Sequence, residues 1–133
     1  MGPSIHSGPD GGRKILLIED DPLFRKSMTV FMRSMGYEVW PADSGESGLK
    51  ILEHETFDLM VSDYQLPGIT GIEVVRAMRE RGIRIPVVLM SANLDPEAKR
   101  EADAERIDVV FKKSIRDLQL LKPTLTELLQ QPG

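Results

Sequence analysis

Three carboxylates, a hydroxyl and a lysine stand at matching places in this chain, each at the end of a short apolar run. Glu19 and Asp20, with Asp21 behind them, follow Ile15–Ile18. Asp63 follows Phe57–Val61, Ser91 follows Pro86–Met90, and Lys112 follows Val109–Phe111. If these runs are strands of one open parallel sheet, their C-terminal ends share an edge, and residues as distant as Glu19 and Lys112 meet in one crevice. Two carboxylates about 4 Å apart repel by roughly 4 kcal/mol at an effective dielectric near 20, so the acidic trio Glu19, Asp20 and Asp63 calls for a cation. All the donors are hard oxygens with no histidine or cysteine beside them. That suits Mg²⁺, with Mn²⁺ as the alternative, completed by water and phosphate oxygens.

Beside such an ion an aspartate can act as a nucleophile toward a phosphoryl group, and Asp63 is the candidate. Each residue also has a plainer reading. Asp21 directly precedes Pro22 and is better read as a helix cap, whereas Asp20 is better read as a metal ligand. On its own segment Asp63 fits a loop aspartate in a proline-glycine turn equally well, and only its partners on the other strands favour the nucleophile. Ser91 alone could bond local backbone at the start of a loop; beside a phosphoryl group its hydroxyl would donate to a phosphate oxygen. Lys112 is either a solvated charge or the partner of the Asp63 carboxylate and of a transferred phosphate.

The elements that must position these groups alternate along the chain. Lys14–Ile18 reads as a strand buried on both faces. Asp21-Pro22 opens a helix carrying Leu23, Phe24, Met28, Phe31, Met32 and Met35 at helical spacing, which Gly36 ends. Tyr37–Trp40 is a second strand, and Ser44 or Asp43 caps a helix with Leu49, Ile51 and Leu52. Phe57–Ser62 is a strand. Thr70 caps a helix through Ile72, Val75 and Met78 that stops at Gly82. Ile85–Met90 is a strand, Asp95-Pro96 opens a helix to about Ala104, Ile107–Phe111 is the last strand, and Leu118–Leu129 the last helix. This fivefold strand–helix alternation predicts an α/β fold, a parallel sheet with right-handed crossovers and helices on both faces. In the last helix Pro123 is expected to start, kink or break the element. Leu118, Leu121, Leu125 and Leu128 form a stripe read as core, with Leu120 and Leu129 beside it; its surplus leucines leave a homodimer or downstream-protein surface as the alternative.

Bulk properties narrow the classes. The 133 residues are enough for one domain with its own core. Seventeen basic against 21 acidic side chains, a net charge of −4, disfavour a nucleic-acid binder. The absence of cysteine excludes disulfides, thiolate metal sites and cysteine nucleophiles. No apolar stretch approaches the roughly 20 residues that span a bilayer, and no signal-peptide pattern opens the chain; a soluble cytoplasmic domain without membrane contact is expected. Residues 1–12, rich in glycine and proline, read as a flexible leader or linker, 13–129 as the domain and 130–133 as a tail.

The stretches Lys14–Pro22, Asp58–Gly71, Ile85–Ala92 and Val109–Lys112 together resemble the receiver domain of two-component response regulators, of the chemotaxis-regulator kind, over roughly Arg13 to Leu129. The resemblance implies a flavodoxin-like (βα)5 fold with strand order 2-1-3-4-5, which sets Glu19 and Asp20 beside Asp63. It implies that Asp63 accepts a phosphoryl group from a phosphohistidine of a histidine kinase or histidine phosphotransfer protein. It implies Mg²⁺ held by Asp20, Asp63 and the backbone carbonyl of Gln65, with Glu19 acting through water, and phosphate contacts from Ser91 and Lys112. It implies slow self-dephosphorylation, modulated by Gln65 and Asn93, and a switched surface on the fourth helix, fifth strand and fifth helix; such a domain is a regulatory phosphoacceptor and not a turnover enzyme. Three positions depart from the family pattern. Val109, three before Lys112, replaces a frequent aromatic; Lys113 stands where proline usually follows the site lysine, which keeps Lys113 open as a second choice; and Ala104–Ile107 lacks the usual glycine-alanine turn.

Other classes fit less well. A receiver-like scaffold that works unphosphorylated has to explain a complete set of site residues. A small phosphatase with an aspartyl-phosphate intermediate would want an acid at Gln65. A dinucleotide enzyme would want G-x-G-x-x-G after the first strand. With no output domain after Gly133, the expectation is a single-domain regulator or shuttle, or a receiver excised from a longer protein such as a hybrid histidine kinase.

Overall fold

The structure is a computed structural model that describes residues 12–93 and 96–130. Most of the expected leader, the last three residues of the tail and the Asp95 cap of the fourth helix lie outside the described residues. Ten elements alternate: β1 (Lys14–Ile18), α1 (Pro22–Ser34), β2 (Glu38–Ala42), α2 (Gly45–Leu52), β3 (Leu59–Asp63), α3 (Gly71–Glu80), β4 (Val87–Ser91), α4 (Pro96–Ala104), β5 (Val109–Lys112) and α5 (Leu118–Gln130). The strands form one parallel sheet in the order β2-β1-β3-β4-β5.

Side chains alternate across the sheet with a period of two. Ile15, Leu17, Leu59, Val61, Val88 and Met90 face a core closed by α1 and α5; Leu23, expected in the apolar set of α1, is exposed because it lies about 100° round the helix from the buried Phe24. Leu16, Ile18, Met60, Val87 and Leu89 face a second core closed largely by α3, with Ala102 of α4 and Leu52 of α2. Burying each such side chain contributes about 1.5–3 kcal/mol. The four buried residues of β1 alone therefore outweigh the repulsion expected of two carboxylates at the strand ends.

The caps follow the sequence closely. Asp21 Oδ2 accepts from the Phe24 amide at 2.7 Å, Ser44 caps α2, and Thr70 and Glu73 form a reciprocal capping box on α3. Strands β3 and β4 end one residue later than the expected Phe57–Ser62 and Ile85–Met90, because Asp63 pairs with Met90 and Ser91 with Lys112. The α4–β5 turn, expected to differ for want of glycine-alanine, keeps the backbone of a glycine turn and differs only in the residue that makes it. Arg106 takes the left-handed conformation at φ 55°, and the amides of Arg106 and Ile107 reach back to the carbonyls of Asp103 and Ala102. A side chain there costs about 1 kcal/mol relative to glycine.

Pro123 does not break α5. Its missing amide would have served the carbonyl of Gln119, and both residues are exposed, so water can replace the lost bond. Leu118, Leu121, Leu125 and Leu129 are buried, Leu128 packs partly against them, and Leu120 is exposed. The stripe is core. No helix among the described residues is long and apolar enough to cross a membrane.

Candidate functional site

Register builds the crevice. Ile18 lies opposite Ser62, so the next residues, Glu19 and Asp63, come side by side across adjacent strands, which run about 4.8 Å apart. Carboxylate oxygens of Glu19, Asp20 and Asp63 lie within 4.8 Å of one another. Glu19 and Asp63 are buried, whereas Asp20 is exposed at the rim. Asp20, Asp63, Tyr64, Gln65, Ser91, Ala92 and Lys113 line a cavity of about 220 Å³. Asn93 follows exposed, outside this lining.

The lysine expectation needs correction. Lys113, and not Lys112, reaches the acids: its Nζ donates to Glu19 Oε2 and to Asp63 Oδ2, each at 2.8 Å. Lys112 is exposed. The reason is the period of two. Ile15, Leu17 and Glu19 share one face, as do Leu59, Val61 and Asp63; on β5 that face belongs to Val109, Phe111 and then Lys113. Phe24 of α1 supports the ammonium, its ring centroid 5.1 Å from Nζ, and the Lys113 amide bonds the carbonyl of Ser91 at 2.8 Å. With the site lysine moved by one, the position three before it becomes Val110, and Ser114 follows it. The aromatic and the proline of the family pattern are still missing.

Other supports carried no signal in the sequence. Arg25 Nη1 donates to the carbonyls of Glu19 at 2.9 Å and Asp20 at 3.3 Å, holding the acidic turn. The Asp21 amide donates to Glu19 Oε2 at 3.0 Å. A Cβ on Gly71 would stand 2.4 Å from the Asp63 carbonyl oxygen, so only glycine lets α3 begin this close to the end of β3. The Tyr64 hydroxyl donates to Glu101 Oε1 of α4 at 2.5 Å, joining the neighbour of Asp63 to that helix.

Burial pushes the carboxyls of both Glu19 and Asp63 above the ordinary carboxylate range, although the Lys113 ammonium pulls each back. Burial also works against the Lys113 charge, but its bonds to Asp63 and Glu19 win and raise it. Three carboxylates with oxygens within 4.8 Å of one another, all hard donors, fit a divalent cation.

A sequence profile of the family described as the response regulator receiver domain matches residues 15–124. The chain belongs to that family. Among curated relatives, the transcriptional regulatory protein AfsQ1 of Streptomyces coelicolor is 43% identical over 81 residues, 61% of this chain and 36% of that protein. The sensor histidine kinase RcsC of Salmonella typhimurium is 30% identical over 111 residues, 84% of this chain and 12% of that protein. The chain thus spans about a third or less of the length of these relatives. Among solved structures, Vibrio cholerae chemotaxis response regulator CheY4 superposes with a TM-score of 0.79 at 29% identity, covering 87% of this chain and 98% of that one. The Thermotoga maritima response regulator TrrA, solved in complex with Mg(2+)-BeF, gives 0.77 at 28% identity, covering 87% and 98%. The receiver fold and strand order expected from the sequence are those of these relatives.

Proposed function

We propose that this receiver is a phosphorelay switch that accepts a phosphoryl group on Asp63 from a phosphohistidine of a histidine kinase or histidine phosphotransfer protein. The observation that carries the reading is the placement of the buried Asp63 carboxylate between two further acids and one ammonium, at the open end of β3. An Asp63 oxygen attacks phosphorus, the P–N bond of the donor breaks, and its imidazole leaves with the electron pair. A Mg²⁺ ion held by Asp20, Asp63 and the Gln65 carbonyl, with Glu19 behind water, would supply the positive charge that lets an anion approach these acids. The structure of TrrA with Mg(2+)-BeF supports that class of ion for the family.

Lys113 holds Asp63 in position and is the cation that meets the incoming phosphate. Ser91, buried at the end of β4, donates its hydroxyl to a phosphate oxygen. Gln65, exposed at the rim, and Asn93, just outside the lining, modulate the water that later hydrolyses the acyl phosphate. The domain does only this chemistry on itself and is regulatory. Because Val109 and Val110 are both aliphatic, the link between phosphorylation and the outer surface runs through Tyr64 and Glu101 to α4. The same missing aromatic favours a second reading, a scaffold that works without phosphorylation.

Incubation with Mg²⁺ and acetyl phosphate, followed by intact mass, tests the choice. One phosphoryl adduct that disappears in Asp63→Asn and on chelation is expected. Folded protein that binds Mg²⁺ yet takes no adduct would instead select the scaffold.

A further inference from the structure

The opposite edge of the sheet carries a second polar site that the phosphorylation chemistry does not use. Arg79 of α3, Arg84 of the α3–β4 connection, and Arg106 and Asp108 of the α4–β5 connection line a groove of about 400 Å³, with Ile85 and Pro86 as its apolar wall. Three guanidiniums meet one carboxylate there, in a chain whose net charge is −4. Asp108 is already engaged, its Oδ2 accepting from the Val87 amide at 2.9 Å. Among the described residues neither the Arg84 nor the Arg106 guanidinium has an ion-pair or hydrogen-bond partner. Arg79 donates to the Glu105 carbonyl while its Nε is buried without a partner. Arg106 lines the groove from a left-handed backbone position that glycine would fill more easily.

Guanidinium forks match phosphate oxygens in pairs, and a groove of this volume falls in the range of small-molecule sites. We propose that the groove binds a small phosphate-bearing anion, with Arg84 and Arg106 as its principal contacts and Ile85 and Pro86 packing against whatever the phosphate carries. The five residues of β4 separate this groove from Ser91, roughly 17 Å at about 3.3 Å per residue. The site is therefore distinct from the acidic crevice and open whether or not Asp63 is modified.

Amide NMR of the full chain, with EDTA present and pyrophosphate or AMP titrated separately, tests this. Saturable shifts are expected at Ile85, Arg106, Asp108 and Val109, with affinity lowered about tenfold or more in the Arg84→Ala/Arg106→Gly double variant. The glycine keeps the left-handed turn, so the variant's unchanged distant amides report that it is folded. Tighter binding of AMP identifies a nucleotide-like ligand, and equal binding identifies recognition of phosphate alone. Shifts confined to Ala92 and Lys113, an unchanged affinity in the double variant, or loss of binding at about 0.15 M salt would each overturn the proposal.

Discussion

At the C-terminal edge of the sheet, three carboxylates crowd around the single ammonium of Lys113; at the N-terminal edge, three guanidiniums surround one carboxylate already given to a backbone amide. The first arrangement is fastened to strand ends. Glu19, Asp63 and Ser91 are buried, and α3 closes on Asp63 so tightly that Gly71 admits no Cβ. The second hangs on connections whose arginines Arg84 and Arg106 are both exposed. Charges fixed in a buried crevice perturb one another strongly, while charges on the connections are eased by water. A position for covalent chemistry needs the former, and a reversible anion site tolerates the latter.

The largest effect expected comes from the two adjacent lysines. Lys113→Ala should slow phosphorylation of Asp63 by roughly 10- to 100-fold, the equivalent of one charge-assisted hydrogen bond of about 1.5–3 kcal/mol. Lys112→Ala should stay within about twofold. Equal losses in a phosphodonor time course would erase the distinction between the buried and the exposed lysine. Next is packing at the two edges. Gly71→Ala, forced against the Asp63 carbonyl, should cost about 2–3 kcal/mol, whereas Gly82→Ala, with open space but φ +82°, should cost about 1 kcal/mol. Urea unfolding of both variants measures the gap, and equal midpoints would mean that the C-terminal edge is no tighter than the rest.

Arg106→Gly should stabilise the domain by about 1 kcal/mol, since it relieves the left-handed side chain and removes one of the like charges in the groove. A loss of stability there would show the arginine to be held by contacts within the chain. The smallest effect is with pH. Glu19 and Asp63 are raised in the fold, so the folded domain binds protons more readily than the unfolded chain. Their contribution to stability is complete below the ordinary carboxylate range and is lost as pH rises through the raised folded values. Without divalent ions, thermal stability relative to Asp63→Asn should therefore improve as pH falls from neutral toward that range, and Mg²⁺ should flatten the difference. A pH-independent difference in melting would mean that Asp63 is not crowded.

Much of this was legible in the residues. The β1, β3 and β4 runs are apolar because both faces are buried, and Asp21, Ser44 and Thr70 announce their helices because orphan amides need acceptors. The strand ends were harder, since Asp63 and Ser91 continue the ladder although they break the apolar run. Choosing the lysine next to Phe111 overlooks the alternation, which the triplets Ile15-Leu17-Glu19, Leu59-Val61-Asp63 and Val109-Phe111-Lys113 do record. Arg25, Tyr64 and the arginine groove have no such trace. Their partners come from separate segments, and nothing in local spacing links Arg79 and Arg84 to Arg106.

The paired lysines at the end of β5 also bear on how this crevice tolerates change over generations. A one-codon insertion within β5 upstream of Lys112 would advance that residue into the place now held by Lys113. The crevice would keep its ammonium through the slip, and only the hydrophobic faces of Val109, Val110 and Phe111 would have to be relearned.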